Sequence, residues 1–293
     1  MVNSSKPQIH YSKWVVSADE AQQLLAQGAT FLDAREPALQ ESGCLQGAVP
    51  IGWEQFSQAS PPFQGKLLED NQLLTQKLQA FGIFNGTPVI VFGDPVNGGG
   101  EDGRIVWMLR TLGHQNAVLV DGGDQALVKA GIPTVTAVAN QPPTRGDFVV
   151  SRTTAGEIGR DELKACLGCE NLAIVDAREP GEYAGETPYG EQRGGHIPGA
   201  ISLYYKILLG EDGKLLPRGE IVALLQQYKV TSEAEIIAYC TGGIRSGWLT
   251  SVLTDLGFTV KNYAGSMWEW SAFPVEDYPL EEEEKINLSC PQN

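Results

Sequence analysis

Phe31-Leu32-Asp33-Ala34-Arg35-Glu36-Pro37 returns 143 residues later as Ile174-Val175-Asp176-Ala177-Arg178-Glu179-Pro180. The echo continues outward. Gly43-Cys44-Leu45-Gln46-Gly47-Ala48 is answered by Gly195-His196-Ile197-Pro198-Gly199-Ala200, Val89-Ile90-Val91-Phe92 by Ile236-Ile237-Ala238-Tyr239, and Leu112-Gly113 by Leu256-Gly257. A period of about half of a 293-residue chain is too long for a solenoid repeat and reads as a duplicated domain. Between the copies, Pro142-Pro143-Thr144-Arg145-Gly146 has the composition of a linker. The expected division is therefore one domain over 1–138, a linker over 139–147, a second domain over 148–280, and a solvated acidic tail over 281–293.

Within each copy, short runs rich in Val and Ile alternate with stretches of helical period. Val89 to Phe92, Ala117 to Val120, Ala173 to Val175, Ile236 to Tyr239 and Val260 to Tyr263 read as buried strands. Ala18 to Gln27, Leu73 to Phe81, Ile105 to Leu112, Glu220 to Tyr228 and Gly247 to Leu256 read as helices. This alternation predicts an α/β fold, each half a mainly parallel sheet flanked by helices. Ligands then sit beyond the carboxyl ends of the strands, which is where Cys240 falls, directly after Tyr239.

Composition narrows the function. A hydrophobic fraction of 42% with 19% charged residues is that of a globular protein. A formal net charge of -15 argues against nucleic acid, whose binding needs clustered Lys and Arg. It also means that an anionic substrate needs a local positive pocket. The first residues lack a secretory pattern and no window resembles a membrane span, so a cytoplasmic location is expected. Five cysteines, at 44, 166, 169, 240 and 290, are odd in number and irregular in spacing, which suits reduced thiols better than a disulfide framework.

The duplication acts as an internal control. Features kept in both halves are candidates for fold upkeep, so Asp33, Arg35, Asp176 and Arg178 read mainly as strand-end salt bridges. Cys240 is not shared: its counterpart lies near Gly93-Asp94, where there is no thiol. The segment Cys240-Thr241-Gly242-Gly243-Ile244-Arg245-Ser246 has what a nucleophilic thiol needs, because only the thiolate attacks. Gly242 and Gly243 let backbone N–H groups converge on one point. The helix expected from about Ser246 presents its positive end, and Arg245 adds a permanent charge.

These residues resemble the rhodanese family, in which a strand ends in a Cys-x-x-Gly-x-[Arg or Thr] loop that runs into a helix. The resemblance covers nearly the whole chain, including the Asp-x-Arg openings, Gly195 to Ala200, and Gly265-Ser266-Met267-Trp268-Glu269-Trp270. It implies two tandem rhodanese-like domains, the first catalytically inactive. It further implies that Cys240 takes a sulfane sulfur from a small-molecule donor as a persulfide cradled by Thr241, Gly242, Gly243, Ile244 and Ser246, with Arg245 as catalytic partner. The sulfur then passes to cyanide or a thiol, such as a protein thiol of the thioredoxin kind, without a cofactor. Thiosulfate is the favoured donor and 3-mercaptopyruvate the second. Arg178, Arg193 and Trp268 are the substrate-binding candidates. Glu182 stands where tandem relatives commonly carry an Arg for the substrate anion.

Other readings compete. A cysteine phosphatase or arsenate reductase uses Cys-x5-Arg, whereas Arg245 makes this Cys-x4-Arg, a tighter ring better suited to one sulfur than to a phosphoryl group. Gly98-Gly99-Gly100-Glu101-Asp102-Gly103, with Asp121 beyond it, fits Gly-x-Gly-x-x-Gly but starts too far past its strand for dinucleotide binding. A non-catalytic sulfur carrier or partner-binding tandem is the third alternative. Cys166-x-x-Cys169 lacks a second ligand pair, since the only histidines are 10, 114 and 196, and reads as two incidental thiols. His196 reads as a structural residue, while Met267, Trp268 and Trp270 are divided between pocket wall and core.

Overall fold

The computed structural model describes residues 12–136 and 143–282. In the first half the strands are β1 (Val15–Val16), β2 (Thr30–Asp33), β3 (Cys44–Leu45), β4 (Val49–Pro50), β5 (Val89–Phe92), β6 (Ala117–Val120) and β7 (Thr134–Val135). The second half contributes β8 (Leu172–Asp176), β9 (Ile201–Ser202), β10 (Glu235–Tyr239) and β11 (Val260–Asn262). Helices α1 (Ala18–Ala26), α2 (Pro37–Ser42), α3 (Asn71–Ala80), α4 (Glu101–Thr111) and α5 (Gly123–Lys129) are followed by α6 (Arg160–Ala165), α7 (Pro180–Tyr183), α8 (Arg218–Gln227), α9 (Ile244–Asp255) and α10 (Ser266–Trp270).

Two parallel sheets result, in the orders β1-β6-β5-β2-β4 and β11-β10-β8-β9. Every residue of β5 and β6 is buried, because a parallel sheet covered by helices offers no wet face for polar side chains. This is the expected α/β architecture. An antiparallel ladder pairing Cys44 with Val135 and Leu45 with Thr134 was not legible, since two-residue strands carry no periodicity. The expected linker falls partly outside the described residues. Its remainder is tied down: Gly146 N–H donates to Gln79 O and Phe148 N–H to Ile83 O, so the chain crosses the first half before entering the second.

Helices begin earlier than apolar periodicity suggests, α4 at Glu101 and α9 at Ile244. Both follow glycines in the left-handed region, Gly100 and Gly243. A polar first turn adds nothing to an apolar period, but its start is set by the backbone conformation ahead of it. α3 likewise starts at Asn71, where the Asp70 carboxylate accepts the N–H groups of Gln72 and Leu73.

The two halves share one apolar core. Leu32, Val91, Trp107 and Leu109 of the first half belong to the same buried cluster as Ala173, Ala238, Trp248 and Leu253 of the second. α4 and α9 cross at its centre, with Gly103 against Trp248 and Gly247 against Arg104. Separate clusters fill the outer face of each sheet. Among the described residues, no helix is long and apolar enough to cross a membrane.

Candidate active site

Cys240 leaves the end of β10 and is buried, only 1% exposed. Its backbone is zipped to the start of α10. Cys240 N–H donates to Ser266 Oγ at 3.1 Å, while Met267 N–H donates to Cys240 O at 3.1 Å and Trp268 N–H to Thr241 O at 2.9 Å. With the strand end held, the chain can double back over the sulfur. Gly243 does so at φ 82° and brings its N–H to 3.1 Å from Cys240 Sγ. Gly242 is required for another reason, because a Cβ there would lie 2.1 Å from the Trp268 ring. The hydroxyl proton of Ser246 is shared between Asn262 Oδ1 at 2.7 Å and Cys240 Sγ at 3.5 Å.

Burial is the strongest influence on the thiol and pushes it up. The charge of Arg245 and hydrogen bonds from the Ser246 hydroxyl and the Ser246 and Gly242 N–H groups outweigh it together, so Cys240 titrates below the ordinary thiol range. Arg245 is itself clamped: its two terminal nitrogens reach Glu182 Oε2 at 2.5 Å and Oε1 at 2.7 Å, and Nη2 also donates to Thr241 Oγ1 at 2.7 Å. Burial opposes ionisation of Glu182, yet the Arg245 pair holds its carboxyl below the usual range. Glu182 is thus the counter-ion of the loop arginine.

The first half supports this loop. Arg104, on α4, donates from Nη1 to Gly243 O at 3.2 Å and from Nη2 to Gly65 O at 2.7 Å and Ser57 Oγ at 3.3 Å. Burial pushes its guanidinium down to about 10, while nearby Glu157 and Cys240 favour the charge. Sequence reasoning missed it. The available signal was an arginine opening the apolar run Ile105 to Leu109, where a buried charge needs partners from another element. A cavity of about 350 Å³ lies above the sulfur, lined by Cys240, Thr241, Gly242, Ile244 and Arg245 and by Glu36, Trp53 and Glu101 from the first half. At the counterpart position, a side chain on Gly93 would meet the Asp102 carboxyl at 2.8 Å. That carboxyl is pushed up to about 7 by burial.

The sequence profile of the rhodanese-like domain matches residues 17–130 and again 159–273. The chain belongs to the rhodanese-like family. Relatives include a thiosulfate sulfurtransferase of Azotobacter vinelandii, 31% identical over 268 residues, covering 90% of this chain and 95% of that one. A probable 3-mercaptopyruvate sulfurtransferase of Pseudomonas aeruginosa is 33% identical over 213 residues, covering 71% and 72% respectively. Among solved structures, the 3-mercaptopyruvate sulfurtransferase of Leishmania major superposes with a TM-score of 0.75 at 22% identity, over 90% of this chain and 75% of that one.

In this rhodanese-like chain the structure brings Trp268 to the cavity together with the whole Cys240 loop except Gly243 and Ser246, which contact the sulfur from behind. Two expected substrate contacts lie elsewhere. Arg178 is fully buried, bonded to Asp176 and Gly195 O, and Arg193 Nε and Nη2 donate to the carbonyls of Ser271, Trp270, Phe273 and Tyr278. Neither is among the residues that line the cavity. Asp33 and Arg35 form the equivalent pair in the first half. His196 stacks on Tyr183 at 3.7 Å, and Met267 and Trp270 pack in the core. The glycine-rich 98–103 segment packs against Trp248, and Asp121 accepts Leu215 N–H. Cys166 and Cys169 are free thiols, while Cys290 and most of the acidic tail lie outside the described residues.

Proposed function

We propose that this protein is a sulfurtransferase that carries a sulfane sulfur on Cys240. The observation that supports this most directly is a buried thiol at a strand end whose sulfur accepts an N–H from Gly243 at 3.1 Å and opens onto a cavity. In the first step the Cys240 thiolate attacks the outer sulfur of the donor. With thiosulfate, the S–S bond breaks, its electron pair leaves with sulfite, and a Cys240 persulfide remains. The loop amides and Arg245 that favour the thiolate are placed to favour the persulfide anion too. In the second step cyanide or a thiolate attacks the outer sulfur, the pair returns to Cys240 Sγ, and thiocyanate or a product persulfide leaves. No base is needed when the thiol is already ionised.

The names of the curated relatives favour thiosulfate as donor, with 3-mercaptopyruvate second. The division into an inactive domain at 1–138, a linker at 139–147 and a catalytic domain at 148–280 is part of the same proposal. Steady-state rates with each donor, paired with cyanide and with a dithiol, test it. The Cys240→Ser variant is expected to lose sulfur transfer entirely; full activity in that variant, or phosphatase activity without sulfur transfer in the native chain, would remove the reading.

A further inference from the structure

The cavity above Cys240 has an unusual charge balance for an enzyme handling anions. Its walls carry Glu36 and Glu101 from the first half and Glu179 from the second, against Lys206 and Arg245. Both cations are held by the protein, Arg245 neutralised by a carboxylate and Lys206 tethered, still charged, to a backbone carbonyl. Arg245 is paired with Glu182 through both terminal nitrogens, and Lys206 Nζ donates to Val96 O at 2.7 Å. Glu101 is also engaged, accepting the Gly99 N–H on both oxygens. Glu36 and Glu179 are the exposed carboxylates of the lining.

The remaining wall is aromatic, with Trp53, Tyr189, Tyr204, Tyr205 and Trp268 facing the cavity. Two of these rings already seat cations of the protein itself, Tyr189 beneath the Arg245 guanidinium at 5.5 Å and Tyr205 beneath the Lys206 ammonium at 5.8 Å. Aromatic faces together with exposed carboxylates attract positive charge, and the chain as a whole, these carboxylates included, carries a net charge of -15 that concentrates cations at its surface.

We propose that the thiol accepting sulfur from Cys240 is a small aminothiol, a molecule bearing a positive charge close to its sulfur, selected by Glu36 and Glu179. This rests on the Cys240 persulfide reading above and extends it to the second substrate. In the step, the aminothiolate attacks the outer sulfur of the persulfide. A new S–S bond forms on the acceptor, the old one breaks, and its electron pair returns to Cys240 Sγ, with no other oxidant or reductant. The first half thereby acquires a functional role, since Glu36 comes from the copy that lacks a counterpart of Cys240.

The experiment loads Cys240 with thiosulfate, removes excess donor, and follows loss of one sulfur by mass spectrometry after mixing with cysteamine, mercaptoethanol or mercaptopropionate. These acceptors are positive, neutral and negative. The quantity read is the cysteamine-to-mercaptopropionate rate ratio in the native chain divided by that ratio in the Glu36→Gln, Glu179→Gln double variant, in which the intrinsic reactivity of each thiol cancels. Two exposed ion pairs predict a quotient of about fivefold. In the native chain the preference should also shrink as ionic strength rises towards about 1 M. A quotient near one, or a preference insensitive to salt, overturns the proposal while leaving the persulfide intact. Absence of a transferable sulfur on Cys240 with either donor overturns the underlying reading and this inference with it.

Discussion

At Cys240 two opposing effects can be ranked. Burial disfavours the thiolate more than any single partner favours it, and Arg245 heads the influences that reverse the balance. Iodoacetamide alkylation should therefore reach its half-maximal rate at a pH acid of the ordinary ~8.5. The same sign makes ionised Cys240 a stabilising group above the unfolded thiol's pKa, an effect lost as pH falls through the folded one. Arg245→Gln should move the alkylation limb to higher pH; a pH–rate profile of both proteins checks this, and coincident limbs would mean that Glu182 already cancels the arginine. Cys240 and Arg245 were legible because they stand five positions apart in one loop. Glu182 was noticed only as a departure from relatives, because its pairing spans 63 residues that only the fold brings together.

The crossing of α4 and α9 is where an element, and not a residue, sets the site. A Cβ on Gly103 would lie 2.5 Å from Trp248 Cα, so the two helices approach at backbone distance there. Gly103→Ala should push them apart at a cost of about 1–3 kcal/mol, visible as a lower midpoint in thermal unfolding. Because the next residue, Arg104, holds the Gly243 carbonyl, the same variant should also slow alkylation of Cys240. Unchanged stability would show that the crossing has slack. Apolar period located both helices, but their first turns escaped it. Gly100 and Gly243 start those helices through backbone conformation, which no side-chain pattern records.

For the whole molecule, the central core draws on both sheets, and the halves are joined again where Asp255 accepts the N–H groups of Trp14 and Val15. A shared core gives neither half a complete apolar interior alone. Calorimetry should therefore show one unfolding transition, with Trp248→Ala lowering it by about 3–5 kcal/mol; two separable transitions would mark the halves as independent units. The amino-acid sequence by itself determined the duplication, the parallel α/β plan, the asymmetry between Cys240 and Gly93, and the loop that carries the thiol. These follow from local period, local spacing and comparison of one half with the other. Only the tertiary structure decided that Glu182 binds Arg245, that Arg104 of the first half braces the loop, that Asp102 packs against Gly93, and that Arg178 and Arg193 bond to groups away from the cavity. Each depends on contacts between distant segments, set by how two sheets and two crossing helices pack, and such packing leaves no periodic trace along the chain.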